Sequence, residues 1–246
     1  DKFTDQGDVC SEQNAINNDL LATCTFGDLN SSKHLVLYGD SHAIAISHPL
    51  NSLAKEHGIA VTRVTLKNCG IIFDITSSKA ALFDPLSHYN QCQNSFQSLR
   101  QFIQKRNATT LLVSRWTFQL FPIDGFVDSL AFDNKKGGVE KIDYREHFSV
   151  LRDGNISYTK LHKVNAVLKL FQGLESASER LIIAYPKPEI GWDIFDLNWK
   201  KFQKLGKTYE LLFFDSKLYY EHNKLIISVI ENHLLHSRKT EALRVD

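Results

Sequence analysis

The chain has 246 residues, and 29 lysines and arginines against 28 acidic residues give it a net charge of +1. This near balance lacks the basic surplus of a nucleic-acid-binding protein and predicts no nucleic-acid partner. Hydrophobic residues make up 43% of the sequence, which suffices for a substantial core and excludes a disordered chain.

The first half of the chain begins with a polar, irregular stretch and then alternates between strand and helix patterns. Residues 1–32 are expected to form an extended lead-in held by cysteines. The apolar run HLVLY predicts a buried strand at 34–38, followed by a helix at 42–57 and a second strand at 59–65. Apolar residues at helical spacing predict a helix within 88–105.

The alternation continues to the end of the chain. Two apolar runs predict strands at 109–113 and 181–184, and between them an excursion at 117–157 should form loops that shape a cleft. Helices are predicted at 158–175 and within 213–237, before a last strand-like run, ALRV. Strands that alternate with helices indicate a parallel sheet with crossover helices, in one domain over 1–246.

Four cysteines bear on the compartment in which the protein works. In a cytosolic enzyme Cys10, Cys24, Cys69 and Cys92 would be reduced core thiols, whereas in an exported protein they would form two bridges. Sequence order suggests Cys10–Cys24 and Cys69–Cys92, although four cysteines allow three connectivities. The sequence has no zinc-type C-x-x-C pair, so no metal site is predicted.

The first residue and the lack of methionine suggest that the chain belongs to a larger protein. No apolar run approaches the roughly 18 residues that span a bilayer. The sequence begins at Asp1 and contains no methionine. We therefore expect a part excised from a larger protein.

The stretch HLVLYGDSHAIAIS, residues 34–47, places Ser41 between a predicted strand and a predicted helix. One interpretation makes Ser41 a nucleophile, because N–H groups at a helix N-terminus stabilise an oxyanion and the hydroxyl projects above the sheet edge. The other makes Asp40 or Ser41 an ordinary cap for the free N–H groups of the helix. The tetrapeptide Gly39-Asp40-Ser41-His42, taken by itself, favours the cap.

Four segments, in order, resemble the conserved blocks of the SGNH hydrolase superfamily. V-L-Y-G-D-S-H-A resembles block I in its Gly-Asp-Ser-His form, and LKNCGII places Gly70 where block II has its oxyanion glycine. LLVSRW stands where block III usually carries Gly-x-Asn, and YPKPEIGWDI resembles a Pro-x-Pro-Glu-x-Gly segment of one branch. In that branch the SGNH domain is fused to an acyltransferase-3 membrane domain in glycan O-acetyltransferases, and its cysteine pattern is similar.

The resemblance implies a three-layer α/β/α, flavodoxin-like SGNH hydrolase fold with a central parallel sheet, and a site built around Ser41. Ser41 would be the acylated nucleophile, with its own N–H and that of Gly70 binding the oxyanion. Gly70 has an alternative interpretation as a turn that requires positive φ. Asp40 and His42 would support the site from behind, since adjacency to Ser41 makes His42 a poor base.

The third block departs from the family pattern. Ser114, Arg115 and Trp116 stand where the oxyanion-binding asparagine is expected. Arg115 could supply a cationic donor instead. Trp116 could form a wall on which a sugar stacks, or it could simply pack in the core.

No Asp-x-x-His motif, the usual source of the acid and base, lies in a suitable place. Asp84 to His88 and Asp143 to His147 each have one residue too many and lie in the wrong part of the order. The run ALRV reads as the final strand. We therefore expect the acid and the base histidine beyond Asp246.

The implied function is transfer of an acetyl or other acyl group, through acyl-Ser41, to a sugar hydroxyl of a cell-surface polysaccharide such as lipopolysaccharide O-antigen or peptidoglycan. The domain would be periplasmic or otherwise extracytoplasmic, monomeric by itself, and tethered by a membrane domain N-terminal to it. No cofactor is expected, since a donor such as acetyl-CoA would act indirectly through the membrane domain. Two alternatives are a secreted SGNH/GDSL-type carbohydrate esterase and a non-catalytic glycan-binding domain.

Overall fold

The fold is described from a computed structural model. The structure describes residue 10 and the ranges 12–13, 15–66, 69–76, 83–120, 130–133, 139–141, 148–157, 159–187, 203 and 216–244. The strands are β1 (Glu12–Gln13), β2 (Leu21–Gly27), β3 (His34–Gly39), β4 (Ala60–Leu66), β5 (Ile75–Thr76), β6 (Thr109–Val113), β7 (Leu130–Asp133), β8 (Val139–Lys141), β9 (Phe148–Val150), β10 (Ile156–Ser157), β11 (Leu181–Ala184) and β12 (Thr240–Leu243). The helices are α1 (Ser41–Glu56), α2 (Pro85–Arg106), α3 (Trp116–Leu120), α4 (Lys160–Ala177) and α5 (Ser216–His236).

A seven-stranded sheet, in the order β1-β2-β4-β3-β6-β11-β12, organises the molecule. The five strands from β4 to β12 are parallel, and β2 and β1 extend the β4 edge in antiparallel pairing. Numbered along the chain, the parallel strands follow the flavodoxin order 2-1-3-4-5. The strand order therefore reverses between β3 and β6, and ligands of such sheets bind at the carboxyl ends of the strands there.

Helices cover both faces of this sheet. On one face α1 buries Ala43 and Ala54 against Leu37 and Val61. On the other face α2, α4 and α5 pack over the larger core cluster, which includes Tyr38 from β3. This arrangement confirms the predicted three-layer α/β fold with a mostly parallel central sheet.

The lead-in contains a full strand that the sequence pattern does not indicate. β2 pairs with β4 along its whole length, from Leu21 opposite Leu66 to Gly27 opposite Ala60. Its threonines are buried, and Thr25 Oγ1 lies 3.1 Å from Thr62 Oγ1 on β4. Threonines are polar residues in a sequence pattern even where the fold buries them, which explains why an extended lead-in was predicted without a strand of the central sheet.

The two disulfides are Cys10–Cys24 and Cys69–Cys92, the pairing suggested by sequence order. The first attaches the N-terminal segment to β2, and the second attaches the segment after β4 to α2. No helix among the described residues has both the length and the apolar character to cross a membrane.

In its described parts the excursion at 117–157 contains most of helix α3 and several short strands, where loops were expected. A hairpin of β9 and β10 pairs antiparallel with β5, so it lies against the segment that follows β4. This hairpin borders a cavity beside α2 and α4, in agreement with the expectation that the excursion shapes a cleft.

Candidate active site

Gly39 ends β3 at the point where the strand order reverses. A Cβ added there would lie 1.9 Å from the Val113 carbonyl oxygen at the end of β6. Only glycine therefore allows the ends of β3 and β6 to approach this closely. The glycine brings the loop after β3 against the loop after β6.

Asp40 joins these two loops with a single carboxylate. Its Oδ1 accepts from the backbone N–H of His42 at 2.9 Å and faces His42 Nδ1 at 3.1 Å. Its Oδ2 accepts from the Ser114 hydroxyl and the Arg115 backbone N–H, both at 2.8 Å. Burial would raise the pKa of Asp40, but the hydrogen bonds from His42, Arg115 and Ser114 outweigh burial and lower that pKa. Asp40 thus stays ionised and fixes the junction of the two loops, which we call the Asp40 clamp.

The Asp40 clamp also decides which residue caps α1. Asp40 is the N-cap, since its side chain accepts from the N–H of His42. Ser41 is the first residue of α1 and is exposed to solvent. Within the described residues, neither the hydroxyl nor the backbone N–H of Ser41 makes a hydrogen bond. The cap function falls to Asp40, and Ser41 keeps a free hydroxyl beside a free N–H at a helix N-terminus.

The His42 ring contacts Asp40 and makes no hydrogen bond to Ser41. The Nδ1 atom lies 3.1 Å from Asp40 Oδ1, and the side chain is only 26% exposed. A ring held by Asp40 in this way supports the loop geometry. The supporting role expected for His42 stays a prediction.

Trp116 is a core residue, so of its two interpretations the structure favours core packing over a sugar-stacking wall. Its side chain is 1% exposed and packs edge-to-face on Phe171, with ring centroids 5.6 Å apart. Its indole Nε1 donates to the Ala184 carbonyl oxygen at 2.9 Å, at the end of β11. A buried indole with a satisfied N–H holds β6 and β11 together and has no surface for a ligand.

Arg115 contributes to the site through its backbone, because its N–H belongs to the Asp40 clamp. Its side chain is half-buried and has an interaction partner of its own. The assignment of its guanidinium as an oxyanion donor stays a prediction. Ser114 is 2% exposed, and its bond to Asp40 is the contribution that the sequence did not reveal.

Gly70 is buried, and the structure contradicts its assignment as an oxyanion donor. Its backbone N–H donates to the Ile75 carbonyl oxygen at 3.1 Å within the segment after β4. The glycine is needed there because an added Cβ would lie 2.1 Å from that oxygen. Its φ is not positive, so close approach of the backbone, rather than a left-handed turn, explains it.

The remaining sequence-predicted segments fall partly outside the described residues. Of the Pro-x-Pro-Glu-x-Gly segment, Pro186 is buried and its carbonyl accepts from the Tyr219 hydroxyl at 2.7 Å, whereas residues 188–191 lie outside. Asp84 caps α2 by accepting from the Ser87 N–H at 3.0 Å. Asp143 and His147 lie outside the described residues.

Cys69, His88 and Cys92 bring three potential metal-ligand atoms within 4.8 Å of one another. The two sulfur atoms are bonded to each other, and His88 Nε2 lies 3.5 Å from Cys92 Sγ. The disulfide explains this cluster, since the sulfur atoms of a disulfide are not the thiolates that bind metals.

The geometry as a whole suits attack by a serine on an acyl group. The Ser41 hydroxyl and N–H, which make no hydrogen bond to the described residues, lie at the start of a 16-residue helix, whose dipole favours negative charge. Both lie at the carboxyl edge of a parallel sheet, where loops from several strands meet.

The chain was compared with protein-family models, with curated proteins and with solved structures. A family model described as SGNH domain (fused to AT3 domains) matches residues 9–233. Neither a curated protein nor a solved structure matches the chain.

Proposed function

The chain belongs to the SGNH domains that are fused to AT3 domains, and from this membership we propose that it acylates a glycan through Ser41. Acyl-transfer or ester-hydrolysis chemistry is general to such hydrolase-like domains. The finer proposal is that the acyl group is acetyl and that a sugar hydroxyl of a cell-surface polysaccharide accepts it. The observation that carries the proposal is the free hydroxyl of Ser41 beside its own free N–H, with the cap function taken by Asp40.

The reaction proceeds in two steps. A base removes the Ser41 proton as Oγ attacks the carbonyl carbon of the acyl donor, and the backbone N–H of Ser41 donates to the developing oxyanion. The donor's leaving group departs with a proton and leaves an ester on Ser41. A sugar hydroxyl, deprotonated by the same base, then attacks that ester and releases the acylated glycan and free Ser41.

We propose that the base is a histidine in a segment after β12. β12 is parallel to β11, so its carboxyl end lies at the same sheet edge as Ser41. A loop that leaves β12 at this edge is placed to bring an Asp-x-x-His motif toward Ser41 from the β11 side. Asp40 is fully engaged by four hydrogen bonds and does not serve as that acid.

The proposed location is extracytoplasmic, with the domain held at a membrane by an AT3 domain that supplies the acyl group. Two disulfides in the described residues support an oxidising compartment. The AT3 fusion of the family supports the membrane-domain partner.

Trapping of the acyl-enzyme tests the proposal. The full-length natural protein is incubated with p-nitrophenyl acetate, quenched in acid, and digested for mass spectrometry. We expect acetyl on the peptide that contains Ser41, and no acetyl and no p-nitrophenol release above background in Ser41→Ala. Ser52→Ala is the matched control, because Ser52 is an exposed serine on the same helix.

The outcomes separate the candidate functions. Equal turnover by the parent protein and Ser41→Ala would refute every catalytic interpretation and leave the glycan-binding domain. Formation of acyl-Ser41 that discharges only to water, with no transfer to added saccharides, would identify a carbohydrate esterase. Transfer to a saccharide hydroxyl supports the acyltransferase.

A further inference from the structure

The cavity that the β9–β10 hairpin borders lies between this hairpin, α2 and α4, and Ser41 is not among its lining residues. Its volume of about 400 Å³ is in the range of small-molecule sites. We call it the α2/α4 cavity. Its polar lining includes Asp74, Tyr89, Ser149, Arg152, Asn165 and Lys169.

The α2/α4 cavity is connected to the catalytic edge of the sheet. Asp74 belongs to the segment that follows the carboxyl end of β4. Tyr38, on the strand that leads to Ser41, donates its hydroxyl proton to the Ile71 carbonyl oxygen of the same segment at 2.6 Å. One short segment therefore contacts both the Ser41 strand and the cavity.

The Asp74 carboxylate in the α2/α4 cavity is held by hydrogen bonds and an ion pair. The Asp74 carboxylate is buried and accepts from Gln93 Nε2 at 2.5 Å and from Lys169 Nζ at 2.9 Å. The Asp74 carbonyl oxygen also accepts from the Val150 N–H at 2.9 Å, which attaches the hairpin. The charges of Asp74 and Lys169 cancel, so this pair adds no net charge to the cavity.

Other polar groups of the lining have no protein partner. The Ser149 hydroxyl is buried, and the side chain is only 2% exposed, yet it makes no hydrogen bond. A buried hydroxyl without a partner costs about 1–3 kcal/mol, so such a group calls for a ligand or a water molecule. Among the described residues, the side chains of Arg152, Asn165 and Gln172 also have no hydrogen bond or ion pair.

The chemistry of these groups suits a sugar that carries an anionic group. A hydroxyl and two amides can each donate and accept, as the hydroxyls of a saccharide do. The half-buried ring of Tyr89 offers an apolar surface of the kind that Trp116 lacks. Arg152 is the guanidinium of the lining, and it has no ion pair with a carboxylate in the part of the chain that the structure describes. Guanidinium binds carboxylate or phosphate in a bidentate manner.

We propose that the α2/α4 cavity binds a saccharide unit with an anionic substituent, with Arg152 on the anion and Ser149 and Asn165 on the hydroxyls. Its role as a subsite for the acceptor glycan rests on the proposed function, whereas the binding itself does not. In that role the cavity binds one sugar unit of the acceptor glycan while another unit of the same glycan reaches Ser41.

Binding is measured by titration calorimetry and by amide chemical shifts, on the Ser41→Ala form of the protein. The probes are digalacturonic acid for a carboxylate, glucose 6-phosphate for a phosphate, and the dimethyl ester of digalacturonic acid as the uncharged match. We expect millimolar or tighter binding of an anionic probe, with shifts at Ser149, Arg152 and Asn165. The neutral ester should bind at least tenfold more weakly.

The substitutions that test the proposal are made at exposed residues on the rim of the cavity, because such substitutions should not disturb folding. Arg152→Gln should raise the Kd of the anionic probe roughly tenfold, and Asn165→Asp should weaken it through like-charge repulsion. Arg238→Gln is the matched control, because Arg238 is an exposed arginine in the turn after α5. Equal binding of the neutral ester, an unchanged Kd in Arg152→Gln, or no binding of either anionic probe at millimolar concentration would overturn the proposal.

The two proposals fail in distinguishable ways. Absence of acyl-Ser41 would refute the proposed function and leave saccharide binding by Ser41→Ala protein unaffected. If both proposals hold, Arg152→Gln should raise the KM for an anionic acceptor and leave the rate of acyl-Ser41 formation unchanged. A change in acylation rate with no change in acceptor KM would overturn the subsite.

Discussion

Replacement of Asp40 by asparagine tests the Asp40 clamp, because it keeps the side-chain shape and removes the charge that four donors share. One carboxylate oxygen faces the His42 N–H and ring nitrogen, and the other faces the Ser114 hydroxyl and the Arg115 N–H. An asparagine has one acceptor oxygen and one NH₂ group. In either orientation the NH₂ group therefore faces a backbone N–H, of His42 or of Arg115, that cannot turn away.

The expected loss follows from these hydrogen bonds. A bond to a charged group contributes about 1.5–3 kcal/mol, and a buried donor left without a partner costs about 1–3 kcal/mol. The Asp40 side chain is 17% exposed, so solvent partly compensates. We expect Asp40→Asn to lower the free energy of unfolding by about 1.5–3 kcal/mol.

Urea denaturation followed by far-UV circular dichroism measures this loss, with the m-value checked for constancy. Asp84→Asn is the matched control. Asp84 also caps a helix, but it is exposed, and among the described residues its carboxylate accepts one hydrogen bond, from the Ser87 N–H. Asparagine caps a helix as well as aspartate does, so Asp84→Asn should change stability by less than about 0.5 kcal/mol. A loss in Asp40→Asn no larger than in Asp84→Asn would refute the clamp.

The pH dependence gives the same prediction a second test. The hydrogen bonds lower the pKa of Asp40 in the folded protein, so the unfolded state binds the proton more readily. The stabilisation is complete above the unfolded pKa of about 3.9 and is lost as the pH falls through the lower folded value. The difference between the parent protein and Asp40→Asn should therefore shrink in strong acid. A difference that stays constant would contradict the charged clamp.

Three further predictions concern the framework around the site. Trp116→Phe leaves the Ala184 carbonyl oxygen without its donor, and urea denaturation should show a loss of about 1–3 kcal/mol. Burial lowers the pKa of His34 to about 4, so the parent protein should lose stability from about pH 6.5 down to about pH 4. His34→Gln should show less of this loss in denaturation at neutral pH and at about pH 5. The joint substitution Cys69→Ser and Cys92→Ser opens a bridge with a sequence separation of 23 and should cost about 3 kcal/mol, seen as a lower Tm by calorimetry.

Each of the three has a control within the chain. Tyr220→Phe alters an exposed aromatic hydroxyl and should leave stability unchanged, so an equal result for Trp116→Phe would contradict the core assignment. His48 is exposed on α1, and His48→Gln should keep the parent's pH dependence. If His34→Gln keeps it too, burial of His34 is not its cause. An unchanged Tm in the variant without Cys69 and Cys92 would show that this bridge does not stabilise the fold.

Local sequence patterns were enough for most of the α/β framework. The strands at 109–113 and 181–184 have the predicted bounds, because short apolar runs between polar turns specify buried parallel strands. The helix predicted at 42–57 forms at Ser41–Glu56, one residue earlier at each end, since the switch from strand to helical periodicity is visible in neighbouring residues. β2 escaped prediction because its buried threonines look polar in the sequence, and the partner of Thr25, Thr62, lies more than thirty residues away.

The sequence by itself determined that a serine stands where a strand gives way to a helix, and that four cysteines could form two bridges. It left open whether Asp40 or Ser41 caps the helix, which cysteines pair, and whether Trp116 meets a ligand. Those questions depend on partners that are distant along the chain, such as Ser114 for Asp40 and Ala184 for Trp116. The α2/α4 cavity is formed where Asp74, a hairpin and two helices pack together. The periodicity of one segment does not predict how distant segments pack. Hydrogen bonds and burial across the folded chain therefore decided the chemistry of the site.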